Sequence, residues 1–378
     1  MWARGRTVLS DKGRPTWVEI DHSALRHNLG CISRHIGSDV QTIGVIKANA
    51  YGHGAVEVAR SLLAAGVQKL AVATVSEGLE LRGASIEAPI LVFAGRYDVA
   101  AAEVWSARLE PVVFDHSVLD SLEATRPQQA PPLSVHLHLD SGMGRLGCAP
   151  ADFESLLQRM QQSPAFELVA LMTHLACADA VRTDHTTQQL RVFDDLTSKW
   201  SAYERHAANS SAVAGYPSSH YDWVRPGLAL YGVEPSQTQR LGLKPVMRWL
   251  TRIEHRRSIK TGESVGYGAR WRAPRDSEIG ILPVGYADGY PWSSEGRAEV
   301  LIKGRRLPVI GAISMDLTAV DLTDALDLRV GEEVLLLGAQ GSARITAEEM
   351  ARWSGRLVYE VLTSVGVRVP RRHMDGAA

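Results

Sequence analysis

Cysteine is scarce in this 378-residue chain: Cys31, Cys148 and Cys177 are an odd three, with no CxxC spacing among them. A disulfide framework and a thiolate zinc site are thereby excluded, and a reducing, cytoplasmic setting is predicted. There is no HExxH among the 13 histidines, so no metal is expected. Long apolar runs are missing too, since nothing approaches the roughly 18 residues that cross a bilayer. The opening MWARGRTVLSDKGRPTW carries basic residues but no apolar stretch of secretion-signal length. Excess charge is absent: 41 Lys and Arg against 42 Asp and Glu leave −1. Nothing here attracts a polyanion or an acidic membrane surface, so neither nucleic acid nor membrane is an expected partner. With 45% hydrophobic and 22% charged residues, the chain reads as an ordinary folded protein of more than one small core.

Two rhythms divide the sequence. Between residues 17 and 232, β-branched and apolar runs recur at 17–20, 42–46, 70–74, 90–93, 111–114, 134–139, 168–173 and 224–231. Helical spacing fills most of the gaps. Leu25, Leu29, Ile32 and Ile36 share one face behind Asp21, and Val56, Ala59, Leu62 and Leu63 share another. Alternating strands and helices demand parallel pairing, and eight such units over about 215 residues favour a (β/α)8 barrel of TIM type over a doubly wound sheet. After residue 240 the apolar segments are short and separated by Gly, Pro and charged turns, with helical period only at 346–353. This predicts a barrel over 14–240 and a mostly β C-terminal domain over 241–378, to which residues 1–13 add a strand.

One lysine stands out. In VIKANAYGHG (45–54), Lys47 closes an apolar strand run and opens a Gly-containing loop. The C-terminal end of a barrel strand is where active sites form, and a lysine shielded there can offer a free amine for a Schiff base. On position alone, a lysine snorkelling from a strand end is the more ordinary account, and the flanking sequence is what shifts the balance.

The motif resembles the pyridoxal-phosphate lysine segment of the alanine racemase family. The likeness continues in order through LDSGMGRLG (139–147), THLACAD (173–179), AANSSA (207–212), VRPGLALYG (224–232), LKPVM (243–247), ESVGYGA (263–269), LPVGYADGY (282–290), ISMD (313–316) and VYEV (358–361), nearly the whole chain. It implies a pyridoxal 5'-phosphate enzyme interconverting L- and D-alanine through an external aldimine, working as a homodimer with shared sites. Position by position, Lys47 would bear the cofactor, and Tyr51, Ser210, Gly227, Leu228 and Tyr359 would hold its phosphate, with Asn209 orienting their loop. Arg225 would face the pyridine nitrogen, supported by His174. A guanidinium only donates, so that nitrogen would stay unprotonated and the electron sink weak. Lys47 and Tyr267 would be the two bases, Tyr267 and Met315 coming from the partner subunit. Arg145 would bind the substrate carboxylate near Met315, with Tyr286 lining the approach.

The chain departs from the family pattern at His138. Many members have there a lysine whose carbamate positions the arginine, and histidine forms no stable carbamate. Neutral His138 or a small captured anion such as chloride is the expected substitute, with altered substrate affinity or breadth as the consequence. Three other readings remain open: a fold-related decarboxylase of basic amino acids, a broader-specificity racemase, and a non-catalytic pyridoxal-phosphate carrier. Supply of D-alanine for peptidoglycan and D-amino-acid catabolism are both compatible with the sequence.

Overall fold

Apolar residues that leave no polar side to a strand force it between two covering layers, and the central runs of this chain are of that kind. Leu70, Ala71, Val72, Ile90, Leu91 and Val92 are all fully buried, as strands inside a parallel sheet must be. The computed structural model describes residues 14–95, 97–179, 184–235 and 239–376. The strand expected from residues 1–13 lies outside them. The chain forms two compact units, Ala24–Lys244 being one and the described residues on either side of it the other.

The first strand, β1 (Trp17–Asp21), precedes the barrel. The barrel strands are β2 (Gln41–Val45), β3 (Lys69–Val72), β4 (Ile90–Val92), β5 (Glu110–Val113), β6 (Leu133–His138), β7 (Phe166–Met172), β8 (Glu204–His206) and β9 (Trp223–Val224). They pair in parallel in sequence order, and β9 closes on β2 through Gln41↔Trp223 and Thr42↔Val224. The fold is thus the eight-stranded parallel barrel with alternating helices, followed by a mostly β sheet.

Three sequence expectations are corrected. The run at 17–20 is not a barrel strand: β1 pairs antiparallel with Met247–Arg252 and parallel with Arg371–Met374 in the other unit's sheet. Its apolar pattern reads alike for any buried strand, so composition could not assign its sheet. The vacant barrel position belongs to β8, whose Glu-Arg-His sequence carries no apolar signal. Of the run at 224–231 only Val224 is strand, ending Trp223–Val224, after which Leu228–Tyr231 form a 3-10 turn. Among the helices, His22–Ile36 buries Leu25, Leu29 and Ile32 as expected, whereas Ala55–Ala64 turns Val58 rather than Val56 inward.

The other unit is a sheet in the order Arg-rich edge strand His255–Ile259, Ser277–Leu282, Thr318–Asp321, Arg305–Ile310, Glu299–Ile302, Glu333–Gln340, Met247–Arg252, β1 and Arg371–Met374. The helical period at 346–353 becomes the helix Ala347–Ser354, started by a capping box of Thr346 and Glu349.

Candidate active site

Lys47 follows β2 after one residue, Ile46, at the barrel's C-terminal end. The four residues after it, Ala48, Asn49, Ala50 and Tyr51, hold φ of 53–54°, a left-handed turn built without glycine. That conformation costs on the order of 1–2 kcal/mol per residue, and specific contacts offset it. Glu77 Oε1 accepts the Ala48 N–H at 2.7 Å, while its Oε2 accepts those of Ala73 and Thr74 beyond β3. Asn49 Oδ1 accepts from Ala55 N at 2.8 Å, starting the next helix. Tyr51 packs on Tyr231, which His53 also stacks against at 4.5 Å.

The Lys47 ammonium is disfavoured. Burial lowers its pKa first, Arg145 and Arg225 lower it further, and only Glu77 opposes them. Its Nζ lies 5.9 Å from the Phe93 ring centroid.

Arg225 follows β9 and is 3% exposed. Its Nη1 donates to His206 Nδ1 at 2.7 Å, and Nη2 to the carbonyls of Thr173 and Ala207 at 2.8 and 2.9 Å. Burial brings the guanidinium down to about 9, still protonated at neutral pH. His174 approaches Arg225 only at 3.4 Å, so His206, which the sequence reading passed over, is its firmer imidazole partner. Burial, then Arg225 and Arg145, hold His174 down at about 2.

Ser210 begins the short helix Ser210–Gly215, whose N-cap is Asn209 through its Oδ1 and Ala212 N. Asn209 thus orients this turn. The Ser210 hydroxyl oxygen accepts from Gly227 N at 3.0 Å and Ala229 N at 3.2 Å. Two backbone donors aimed at one oxygen, beside Leu228 and Tyr51, form the kind of nest that holds a phosphate. An amine with lowered pKa, a donor-only guanidinium and this nest, all on one barrel, fit pyridoxal phosphate.

Arg145 is exposed in the loop after β6. Asp140 shapes that loop, accepting the N–H groups of Gly142, Met143 and Gly144 at 2.8–3.2 Å. No hydrogen bond joins His138 to Arg145 among the described residues, and the buried His138 Nε2 has no partner there.

Four expected site residues lie in the other unit. Tyr286 and Met315 are brought together: Tyr286 N donates to Ser314 O and Ala287 N to Met315 O. A Cβ at Gly285 would run into the carbonyls of Ser314 and Met315, which is why this loop begins with glycine. Asp288 clamps the loop from beneath through Gly285 N, Arg14 and Arg368. Tyr267 is 75% exposed, Met315 53%, and Tyr286 and Tyr359 nearly half. Glu77, Asp140, Asp288 and His206 were the residues missed. A capping pattern Thr-x-x-Glu at 74–77 was the one local signal available.

Comparison with known proteins agrees with this geometry. Residues 20–235 match the family described as Alanine racemase, N-terminal domain, and residues 246–373 match Alanine racemase, C-terminal domain. The chain is 42% identical over 377 residues to an alanine racemase of Sorangium cellulosum, covering 96% of this chain and 100% of that one. The crystal structure of a biosynthetic alanine racemase from Pseudomonas aeruginosa superposes with a TM-score of 0.87 at 39% identity, over 96% of this chain and 100% of that one. The Bacillus anthracis alanine racemase with bound L-Ala-P superposes at 0.90 and 33% identity, over 97% and 96%.

Proposed function

Since the chain belongs to the alanine racemase family and racemises alanine, we propose that Lys47 and Tyr267 are its two bases, each site being completed by a second copy of the chain. The family is pyridoxal-phosphate dependent. When bound, that cofactor supplies the electron sink that acidifies the Cα–H of an attached amino acid. Lys47, Arg225, Ser210, Gly227, Leu228, Tyr51 and Tyr359 are the residues assigned to hold it.

Lys47 carries the reading: a half-buried amine, lowered by desolvation and two arginines, on the barrel end that also bears Arg225 and the Ser210 nest. An amine so placed is a competent base near neutrality and moves a proton at one face of the substrate's Cα. Racemisation needs a second base opposite, and Tyr267 is assigned to it. Exposed as it is in one chain, Tyr267 would act in water; a partner subunit covering it excludes that water and shields proton transfer. Arg145 binds the substrate carboxylate with the backbone of the partner's Met315 nearby, and Tyr286 lines the approach. The loop bearing Arg145 is set by Asp140, which takes the N–H groups of Gly142 and Gly144 just before it. The product role assigned is D-alanine supply for peptidoglycan, which the family implies.

The test is a panel of L-amino acids incubated with the pyridoxal-phosphate-loaded protein and resolved by chiral chromatography, alongside Lys47→Ala and Tyr267→Phe. Lys47→Ala should lose the visible absorption of bound cofactor together with activity, and Tyr267→Phe should keep the absorption and lose turnover. Borohydride trapping that labels another lysine would remove the assignment.

A further inference from the structure

The inside of a (β/α)8 barrel is ordinarily filled by branched apolar residues. Here an uninterrupted polar chain runs through it. Lys69 opens β3, and its Nζ lies 2.8 Å from Glu110 Oε2 at the start of β5. The same oxygen is 3.0 Å from His136 Nε2 on β6. His136 Nδ1 is 2.9 Å from His206 Nε2 at the end of β8, and His206 Nδ1 is 2.7 Å from Arg225 Nη1. His136 and His206 are 1% and 0% exposed. The chain therefore leads from the N-terminal end of the barrel strands to the end that bears Lys47.

Its two ends permit one arrangement of protons. Arg225 can only donate, and the Glu110 carboxylate can only accept. Between them His206 must accept at Nδ1 and donate at Nε2, and His136 must accept at Nδ1 and donate at Nε2. A further proton on either ring would put two hydrogens into one gap. Glu110 remains ionised: desolvation pushes its carboxyl up, but the His136 hydrogen bond and Lys69 prevail and hold it at about 2. Burial lowers both imidazoles, with Arg225 and Lys69 on either side adding to it and Glu110 opposing it at His136.

We propose that Glu110 is a positioning residue for racemisation, fixing through the tautomers of His136 and His206 the acceptor that anchors the Arg225 guanidinium. The assignment rests on the reading that Arg225 faces the cofactor. Without the carboxylate, His206 is free to present an N–H toward Arg225, and the guanidinium loses its 2.7 Å partner. Nη2 stays on the Thr173 and Ala207 carbonyls, so Arg225 pivots rather than leaves, and its Nε, which has no partner among the described residues, changes aim.

Neutron diffraction from deuterium-exchanged crystals, with and without pyridoxal phosphate, tests the chain directly. The expected result is deuterium on Nε2 alone in both His136 and His206 from pH 6 to 9; deuterium on Nδ1 of His206, or on both nitrogens of either ring, would overturn the proposal. In the holoenzyme, Glu110→Leu should lower kcat about tenfold with KM for alanine changed less than twofold, and shift the absorption maximum of the bound cofactor. Glu110→Gln, whose carbonyl still accepts from His136, should recover most of both. Wild-type kcat and spectrum in a folded Glu110→Leu protein would sink the idea, as would equal losses in the Leu and Gln variants. Arg225→Lys separates the two readings: an unaltered cofactor spectrum there removes the premise, whereas an altered one beside an unaffected Glu110→Leu removes the role of Glu110 alone.

Discussion

Gly227 leaves the space that the Tyr51 ring occupies. A Cβ at position 227 would lie 2.8 Å from Tyr51 Cζ and nearer still to its hydroxyl, so the two assigned phosphate holders are made compatible by the missing side chain. Overpacking of this kind costs about 1–3 kcal/mol. We expect Gly227→Ala to weaken pyridoxal-phosphate binding roughly ten- to hundredfold while affecting capture of unphosphorylated pyridoxal far less. Equilibrium dialysis with both aldehydes measures the ratio, and equal losses would place the damage away from the phosphate.

Glu77 holds the strained turn that presents Lys47, taking the Ala48, Ala73 and Thr74 N–H groups on its two oxygens. Replacing it with alanine removes all three hydrogen bonds, which lie at exposed or half-buried donors and so contribute about 0.5–1.5 kcal/mol each. It also removes the one charge that raises the Lys47 pKa. The Glu77→Ala amine should therefore titrate at lower pH, so that cofactor capture, which needs the neutral amine, sets in at lower pH, with unfolding at lower urea. A capture profile identical to wild type would show that Glu77 does not govern the lysine.

Buried imidazoles make acid the weak side of this fold. Burial and Arg225, with Arg145 adding and Asp140 opposing, hold His138 at about 4; the unfolded chain's imidazole titrates near 6.5. Between those values the unfolded state takes up a proton that the folded state refuses. Stability is therefore level above about pH 6.5 and falls as pH drops toward 4, by about 3 kcal/mol for this one residue. His174, held at about 2, adds in the same direction. Urea unfolding followed from pH 8 to 4.5 should show this decline, and His138→Asn should reduce the slope by about one proton.

Exposure of Tyr267 separates stability from turnover. At 75% exposed it packs little, so Tyr267→Phe should change the unfolding free energy by no more than about 0.5 kcal/mol, while losing roughly 10²–10⁴ of the rate. Mixing Lys47→Ala and Tyr267→Phe chains tests the shared site. If lysine and tyrosine come from different subunits, each hybrid dimer contains one intact pair; random exchange makes roughly half of the dimers hybrids, so activity of the mixture returns toward about a quarter of wild type. No recovery after verified subunit exchange would place both bases in one chain.

Much of this protein could be read from its residues in order. The Lys47 segment, the barrel rhythm and the change near residue 240 are local patterns, because covalent neighbours and side-chain period determine which stretches can be strands or helices. What tertiary structure alone decided is of another kind. Trp17–Asp21 joined the distant sheet, and the unremarkable Glu-Arg-His of 204–206 became a barrel strand, since pairing is chosen by which edges remain to be covered. Glu77 reached Lys47's turn across 29 residues, and Glu110 reached His136 across 26. Such contacts leave no period in the sequence: buried polar groups find partners through space, and only closure of the barrel brought these within hydrogen-bond distance.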